Sequence, residues 1–175
     1  MSTALSTAAS PAARQLSAQE PRAAWPAVAA VAPGVIELMG GRRLIAAPPQ
    51  SRAEIHATLV RGLPYAVLVH LVGELAALGL DEVAAVLGLS ARTLRRHQDQ
   101  PDKPMPPDLA SKAWQLAEVL AQADAVFGGR EAAVRWLGRP AMGLDGARPV
   151  ALLRTLQGTE LVTEFLGRLE HGVYN

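Results

Sequence analysis

From Ser51 onward, apolar residues recur every three or four positions in segments that end at glycine or proline. This spacing places apolar side chains along one face of an α-helix. No segment of any length alternates apolar and polar residues with the two-residue period of a β-strand. Hydrophobic residues make up 50% of the chain and aromatic residues only 4%, so Ala, Leu and Val dominate. Because Ala and Leu have high helix propensity, we predict an all-α fold.

The first predicted helix begins at Ser51, whose hydroxyl can accept a hydrogen bond from the backbone N–H of Glu54 in a capping box. Its apolar stripe is predicted to contain Ile55, Leu59 and Val60. Further helices are predicted from Pro64 to about Gly79, and over 81–87, 90–98, 108–127, 130–137, 149–156 and 159 to about 170. The predicted buried face of the last helix consists of Leu161, Val162, Phe165, Leu166 and Leu169.

Residues 1–50 are rich in Ala and Pro, and the first 34 show little helical periodicity. We predict that residues 1–50 form a flexible arm. Within it, residues 34–49 contain two short apolar runs around Gly40-Gly41. These runs are compatible with a small hairpin or with an irregular linker.

Several classes of protein are disfavoured by composition. The chain has no cysteine, which excludes disulfides, thiolate metal sites and Cys nucleophiles. Its longest apolar run, near residues 23–36, is interrupted by Pro and Gly and is too short to span a bilayer. No compact signal-peptide layout opens the chain. With 17 basic and 16 acidic residues, net charge indicates no partner. We expect a cytoplasmic protein.

The segment DEVAAVLGLSARTLRRHQ, residues 81–98, has the form of a helix-turn-helix. Gly88 allows the positive φ that a sharp turn needs, and Ser90 can cap the second helix. The small core between the two helices is predicted to consist of Val83, Val86, Leu89 and Leu94. In DNA-binding proteins of this form, the second helix enters the major groove.

The second helix is predicted to present Ala91, Arg92, Arg95 and Arg96 outward, with His97 and Gln98 at its end. Arginine pairs with guanine edges or holds phosphates. The candidate DNA-binding residues are Ser90, Arg92, Thr93, Arg95, Arg96 and Gln98. A helical hairpin with a solvated basic face is the alternative, and Asp99 and Asp102 lie nearby. Since one such module binds modestly, we expect a homodimer on a two-fold operator.

The segment AVRWLGRPAMGLDGARPVALLRTLQGTELVTEFLGRLEHGVYN, residues 133–175, resembles the toxin-binding domain of Xre/MbcA/ParS-type antitoxins. The shared positions are Trp136, Leu137, Pro140, Leu144, Gly146, Pro149, Leu152, Leu153, Thr155, Gly158, Val162, Leu166, Arg168, Glu170, Gly172, Val173 and Tyr174. The helices from about Pro64 are similar to the Xre-like part of this family, whereas residues 1–50 are not covered. The resemblance implies an Xre-like helix-turn-helix domain over 51–127 and a toxin-binding domain over 128–175.

The resemblance also implies a partner, a RES-domain toxin that consumes NAD or transfers its ADP-ribose. In such systems the antitoxin's carboxyl-terminal segment covers the toxin's NAD cleft, and the helix-turn-helix represses the shared operon. The expected assembly is a homodimer of antitoxin within a larger toxin–antitoxin complex on operator DNA. The candidate toxin-binding residues are Arg168, Glu170, His171, Gly172, Val173, Tyr174 and Asn175.

The last residues suit this role physically. A helix that breaks at Gly172 and ends in Val173, Tyr174 and Asn175 can reach into a concave site. Tyr174 offers a rigid aromatic anchor, and the terminal carboxylate is an anion that a phosphate-binding cleft would attract. In the alternative reading, Val173 and Tyr174 fold back on the chain's own core.

An enzyme has little support from the sequence. The four histidines are scattered, no pair has metal-ligand spacing on one helix, and neither GGR segment continues into a phosphate loop. We predict no catalytic residues, no metal and no cofactor. The remaining alternatives are a stand-alone helix-turn-helix regulator whose carboxyl-terminal domain dimerises or senses a ligand, and an interaction module that no longer binds DNA.

Overall fold

The structure, a computed structural model, describes residues 34–172. Their regular secondary structure consists of helices joined by loops. These residues contain no β-strand, and their one isolated bridge joins Pro64 and Pro104. The α-helices are α1 (Val35–Leu38), α2 (Gly41–Leu44), α3 (Arg52–Arg61), α4 (Tyr65–Glu74), α5 (Leu80–Leu87), α6 (Ala91–Gln98), α7 (Pro107–Phe127), α8 (Arg130–Leu137), α9 (Pro149–Leu152) and α10 (Leu156–Glu170), with 3₁₀ turns at Ala76–Leu78 and Met142–Leu144. The all-α prediction is confirmed.

The central element is α7, which packs against α1, α3, α4 and α5 on the amino-terminal side and against α8 and α10 on the other. Its buried side chains are Leu109, Ala110, Ala113, Trp114, Leu116, Ala117, Val119, Leu120, Ala121 and Ala123. The many small Ala side chains let neighbouring helices approach from several directions. Gly128, with φ of 72°, ends the helix in the left-handed conformation. One contiguous apolar core therefore runs through residues of both predicted domains.

The first two helices correct the prediction for residues 34–49. Instead of a hairpin or a linker, these residues form two helical turns that bury Val35, Leu38, Met39 and Ile45 in the core. Residues 35–45 are thus packed, and the predicted flexible arm is wrong for them. Each turn is too short to show helical periodicity. Contacts with α7 and α4 stabilise α1 instead, and α2 packs on α1. The rest of the arm, residues 1–33, lies outside the described residues.

In α3 the capping prediction is confirmed. The predicted apolar stripe is confirmed for Ile55 and Leu59, which are half-buried against the core, and is wrong for Val60. Ser51 Oγ accepts a hydrogen bond from Glu54 N at 3.2 Å, and the Glu54 carboxylate accepts one from Gln50 N at 2.8 Å. Val60, predicted to face inward, is 55% exposed, and the buried residue of this helix is Thr58. The helix rests on α7 through a narrower face than its apolar residues suggested.

The last two helices differ from the prediction at their junction. The helix predicted for 149–156 ends at Leu152, and α10 begins at Leu156 instead of Thr159. Thr155 caps α10, because its Oγ1 accepts a hydrogen bond from Gly158 N at 3.1 Å. Gly158, which the prediction left outside the last helix, lies buried in the first turn of α10 against the Leu152 carbonyl.

The buried face of α10 is also narrower than predicted. Val162 and Leu166 are fully buried, and Phe165 and Leu169 are half-buried. Leu161 is 53% exposed, contrary to its predicted place in the core. Because α10 packs against α7 and α9, one narrow face of the helix is buried and the neighbouring face is exposed to solvent.

Two arginines connect the carboxyl-terminal helices to the earlier part of the fold. Arg130, at the start of α8, pairs with Glu74 of α4 and, at 2.9 Å, with Asp124 of α7. Arg148 donates to the Gly138 carbonyl at 2.8 Å and to Glu82 of α5 at 2.5 Å. The predicted boundary between residues 127 and 128 stays a prediction.

Candidate functional site

Helices α5 and α6 form the helix-turn-helix that the sequence indicated. Gly88 adopts φ of 72° at the end of α5. The Ser90 hydroxyl accepts a hydrogen bond from Thr93 N at 3.1 Å and lies 2.9 Å from Thr93 Oγ1. Both residues therefore build the amino-terminal cap of α6. The predicted small core is present, with Val83, Val86 and Leu94 buried and Leu89 half-buried.

The outward face of α6 is basic. Arg92, Arg95 and Arg96 are exposed, and together with Thr93, Gln98 and Asp99 they line an open cleft of about 440 Å³. None of the three arginines forms an ion pair with another described residue. Their guanidinium groups are free to meet an anionic ligand. Ala91, predicted to face outward with them, is instead half-buried against the core.

The carboxyl-terminal end of α6 is fixed by an aromatic contact with α4. The His97 ring stacks on buried Tyr65, with centroids 4.0 Å apart and an interplanar angle of 9°. The loop after α6 supports the same place, since Pro101 and Lys103 carbonyls accept the backbone N–H groups of Ala66 and Tyr65. Burial, with the charges of Arg96 and Lys103, lowers the pKa of His97. At neutral pH the imidazole is therefore uncharged and packs as an aromatic ring.

The end of α10 carries the other predicted site. Arg168, Glu170, His171 and Gly172 are all exposed, and Gly172 takes a φ of 67° just after the helix. The backbone N–H of His171 bonds to the Gly167 carbonyl at 3.2 Å, which closes the last turn. The remaining predicted toxin-binding residues, Val173, Tyr174 and Asn175, lie outside the described residues.

An exposed apolar surface on the same helix was missed by sequence reasoning. Met142 is 91% exposed and Leu161 is 53% exposed. The turn at 142–144 rests on Phe165, since a Cβ at Gly143 would lie 2.6 Å from Phe165 Cζ. Leu161 and Phe165 are one turn apart on one face of α10. We call Met142, Leu161 and Phe165 the α10 apolar surface. Helical spacing alone assigned Leu161 to the core and gave no signal for Met142.

Aromatic stacking holds this surface in place. Trp136 of α8 lies between Phe127 and Phe165, with ring centroids 5.0 Å and 6.1 Å away. The Arg168 guanidinium lies 5.6 Å from the Phe165 centroid, within cation–π range. Trp136 thus packs as the sequence suggested, and Arg168 joins the apolar surface to the end of the helix.

Residues 34–172 hold no group of three His, Asp or Glu side chains suited to a metal ion. No helix among them is long and apolar enough to cross a membrane.

Comparison with known proteins agrees with this geometry. Residues 54–118 match the antitoxin Xre-like helix-turn-helix domain, and residues 122–172 match the antitoxin Xre/MbcA/ParS C-terminal toxin-binding domain. The first match contains α4 to α6 and the second contains α8 to α10. The first matched domain therefore carries the basic face of α6, and the second carries the α10 apolar surface and the end of α10.

Three curated relatives are each named Antitoxin Xre. That of Pseudomonas putida is 32% identical over 121 residues, which are 68% of this chain and 72% of the relative. That of Yersinia enterocolitica is 32% identical over 95 residues, covering 54% and 64% of the two chains. That of Photorhabdus laumondii is 26% identical over 132 residues, covering 75% and 88%. The resemblance drawn from the sequence is confirmed. The chain belongs to the Xre/MbcA/ParS antitoxins, a non-enzymatic family of type II toxin–antitoxin systems that joins an Xre-like helix-turn-helix to a toxin-binding domain.

Proposed function

We propose that this chain neutralises a RES-type toxin, which consumes NAD or transfers its ADP-ribose, by placing the end of α10 and residues 173–175 in the toxin's NAD cleft. The observation that carries the proposal is the contrast within α10. Val162 and Leu166 anchor the helix in the core, whereas every described residue from Glu170 to Gly172 is exposed. An anchored helix presents its end with little ordering cost on binding.

The chemistry of the tail suits an NAD cleft. Tyr174 provides an aromatic ring for a pocket that accepts a base or nicotinamide. We propose that Arg168 and Glu170, which are both exposed, contact the rim of the cleft, one with a positive and the other with a negative charge.

The α10 apolar surface provides the second part of the proposed toxin contact. Of the four exposed large apolar residues in the described chain, three lie in the toxin-binding domain, namely Met142, Leu156 and Leu161, and the fourth is Val60. Burial of exposed apolar surface is the main favourable contribution to most protein–protein association. We propose that Leu161 and Met142 dock on the toxin beside its cleft.

Two changes test the toxin contact in cells that co-express the RES-type toxin of the adjacent gene. Deleting residues 173–175 should leave the melting temperature unchanged and abolish protection, measured as growth and cellular NAD. Leu161→Asp should weaken binding of the purified toxin at least tenfold. Val60→Asp is the matched control, because Val60 is equally exposed but lies on α3. Full protection by the truncated chain contradicts the tail proposal, and equal effects of both aspartates contradict the docking surface.

We further propose that α6 binds the operator of its own operon and represses it. Free arginines on a rigidly held second helix support this, since α6 is capped at one end and stacked on Tyr65 at the other. We expect the antitoxin to act in the cytoplasm as a homodimer within the toxin–antitoxin complex, because paired half-sites about 34 Å apart raise affinity and specificity.

Replacing Arg92, Arg95 and Arg96 with Ala tests the DNA contact. Each lost phosphate contact should reduce the magnitude of the slope of log affinity against log salt by about 0.9. The triple variant should therefore lose up to about 2.7 per protomer, or about 5.4 for a homodimer on two half-sites. The control replaces Arg139 and Arg154, exposed arginines of the carboxyl-terminal part. Anisotropy titrations from roughly 50 to roughly 200 mM salt measure the slopes. An unchanged slope for the triple variant contradicts binding through α6.

A further inference from the structure

We infer that α2 belongs to the DNA-binding surface, and that Arg42 and Arg43 bind backbone phosphates beside the recognition helix. The inference rests on the proposed binding of DNA through α6. The α2 segment lies before residue 54, where the match to the helix-turn-helix family begins. Nothing in the family match assigns a function to these two arginines.

Position is the first argument. Arg43 lines a cleft of about 310 Å³ together with His70 of α4 and with Gln98 and Pro101 at the end of α6. Gln98 also lines the cleft that contains Arg92, Arg95 and Arg96. The two clefts therefore meet at Gln98, which places Arg43 beside the end of the basic face of α6.

Rigidity is the second argument. The turn between α1 and α2 abuts α4, because a Cβ at Gly40 would lie 3.1 Å from His70 Cδ2. Leu38 and Met39, immediately before it, are fully buried. The α6 helix is fixed to the same α4 by the stacking of His97 on Tyr65. Both basic elements are thus held on one support, and α2 needs little ordering to meet DNA together with α6.

Charge is the third argument. Arg42 and Arg43 are exposed, and neither forms an ion pair with a described residue. Glu37 lies close to the α2 backbone, where a Cβ at Gly41 would be 3.2 Å from its Oε2, and Asp99 lines the α6 cleft. The arginines outnumber these carboxylates across the joined surface. A polyanion that follows the length of α6 would meet both groups of arginines.

The ligand atoms are more consistent with phosphate than with base edges. Bases are read by the helix that enters the groove, and α2 lies outside it, beside the end of α6. In the homeodomain form of this motif, the end of the recognition helix contacts the DNA backbone. Contacts of this kind position the protein and carry no sequence information of their own.

The test compares full-length wild type with the Arg42→Ala/Arg43→Ala variant on two duplexes, one spanning the region upstream of its own gene and one unrelated. We expect the magnitude of the salt slope to fall on both duplexes by up to about 1.8 per protomer, or about 3.6 for a homodimer, since each phosphate contact accounts for about 0.9. Arg42→Lys/Arg43→Lys should keep the slope, because a phosphate contact requires a cation and no particular fork. Arg139→Ala/Arg154→Ala should also keep it.

The outcomes separate this inference from the proposed function. An unchanged slope for the α2 variant, with a lowered slope for the α6 triple variant, overturns the inference and leaves binding through α6 intact. Weaker toxin binding with unchanged DNA binding also overturns it and assigns α2 to a protein partner. If wild type binds neither duplex, both proposals fail. Circular dichroism of each variant checks that the fold is retained.

Discussion

Gly158→Ala should destabilise the fold, although alanine is the better helix former. Gly158 is the third residue of α10, and its backbone N–H donates to the Thr155 cap. A Cβ at this position would overlap the Leu152 carbonyl oxygen and lie 2.8 Å from the carbonyl carbon. Ordinary carbon contacts are about 3.5–4.0 Å, so the two backbones would have to separate by roughly 1 Å.

The change in unfolding free energy of Gly158→Ala is the sum of three effects, two unfavourable and one favourable. Overpacking against backbone costs about 1–3 kcal/mol, and weakening the Thr155 cap costs about 1 kcal/mol more. Replacing a helical glycine by alanine returns about 1 kcal/mol. The net loss of unfolding free energy is therefore about 1–3 kcal/mol. For a chain of this size, that lowers the melting temperature by roughly 2–12 °C.

Gly167→Ala provides the matched control on the same helix. A Cβ there would meet only Gln122 Nε2, at 3.9 Å, which is an ordinary contact. We expect this variant to gain up to about 1 kcal/mol from helix propensity. Urea and thermal unfolding measure whether each variant is more or less stable than wild type. Equal or greater stability of Gly158→Ala would refute the argument that close backbone approach requires glycine at this junction.

Three other predictions concern stability. Leu38→Ala should cost about 2–5 kcal/mol in urea unfolding, because Leu38 is fully buried in the core; a flexible segment would lose almost nothing. Burial raises the pKa of Glu118 despite the hydrogen bond from Trp114, so the charged carboxylate destabilises the fold. Glu118→Gln should therefore be more stable than wild type at pH 7, and the difference should disappear as acid protonates Glu118. The same difference in stability at every pH would contradict this. Burial lowers the pKa of His97 in the fold. The stabilisation by neutral His97 should therefore be complete above the unfolded pKa of about 6.5 and be lost as the pH falls through the folded pKa. In His97→Phe, this loss should be missing from the pH dependence of the melting temperature.

Much of the fold could be predicted because its signals are local. The caps at Ser51 and Ser90 and the stop at Gly128 each act within one turn of a helix. The residue types at these positions therefore suffice to predict where helices begin and end. Both ends of each helix from α5 to α8 were predicted to within one residue. The helix predicted to continue to about Gly79 ends at Glu74, and a separate 3₁₀ turn follows it.

The remaining features depend on partners far away in the chain. The short α1 exists because α7 and α4 cover it, and α2 packs on α1 in turn, which no four-residue pattern can indicate. Gly158 was left outside the predicted last helix, because its close contact with the Leu152 carbonyl exists only in the tertiary structure. The exposure of Leu161 similarly reflects how α10 lies on α7.

The candidate sites divide in the same way. The arginines of α6 were predictable because a helical repeat places them on one face. The stacking of His97 on Tyr65 and the cleft shared by Arg43 and Gln98 join residues more than thirty positions apart. Such pairs follow from the tertiary fold, and a single sequence carries no signal for them.

The position of α7 limits how antitoxins of this kind can diverge. Since this helix supplies core side chains to both its amino-terminal and its carboxyl-terminal neighbours, a crossover at Gly128-Gly129 would seat α8 and α10 of one antitoxin on a foreign α7. Mismatched volumes in a close-packed interior are costly, so such chimeras should fold poorly. New pairings of operator and toxin are better reached by point changes on the solvent side of α6 and α10 than by exchange of whole modules.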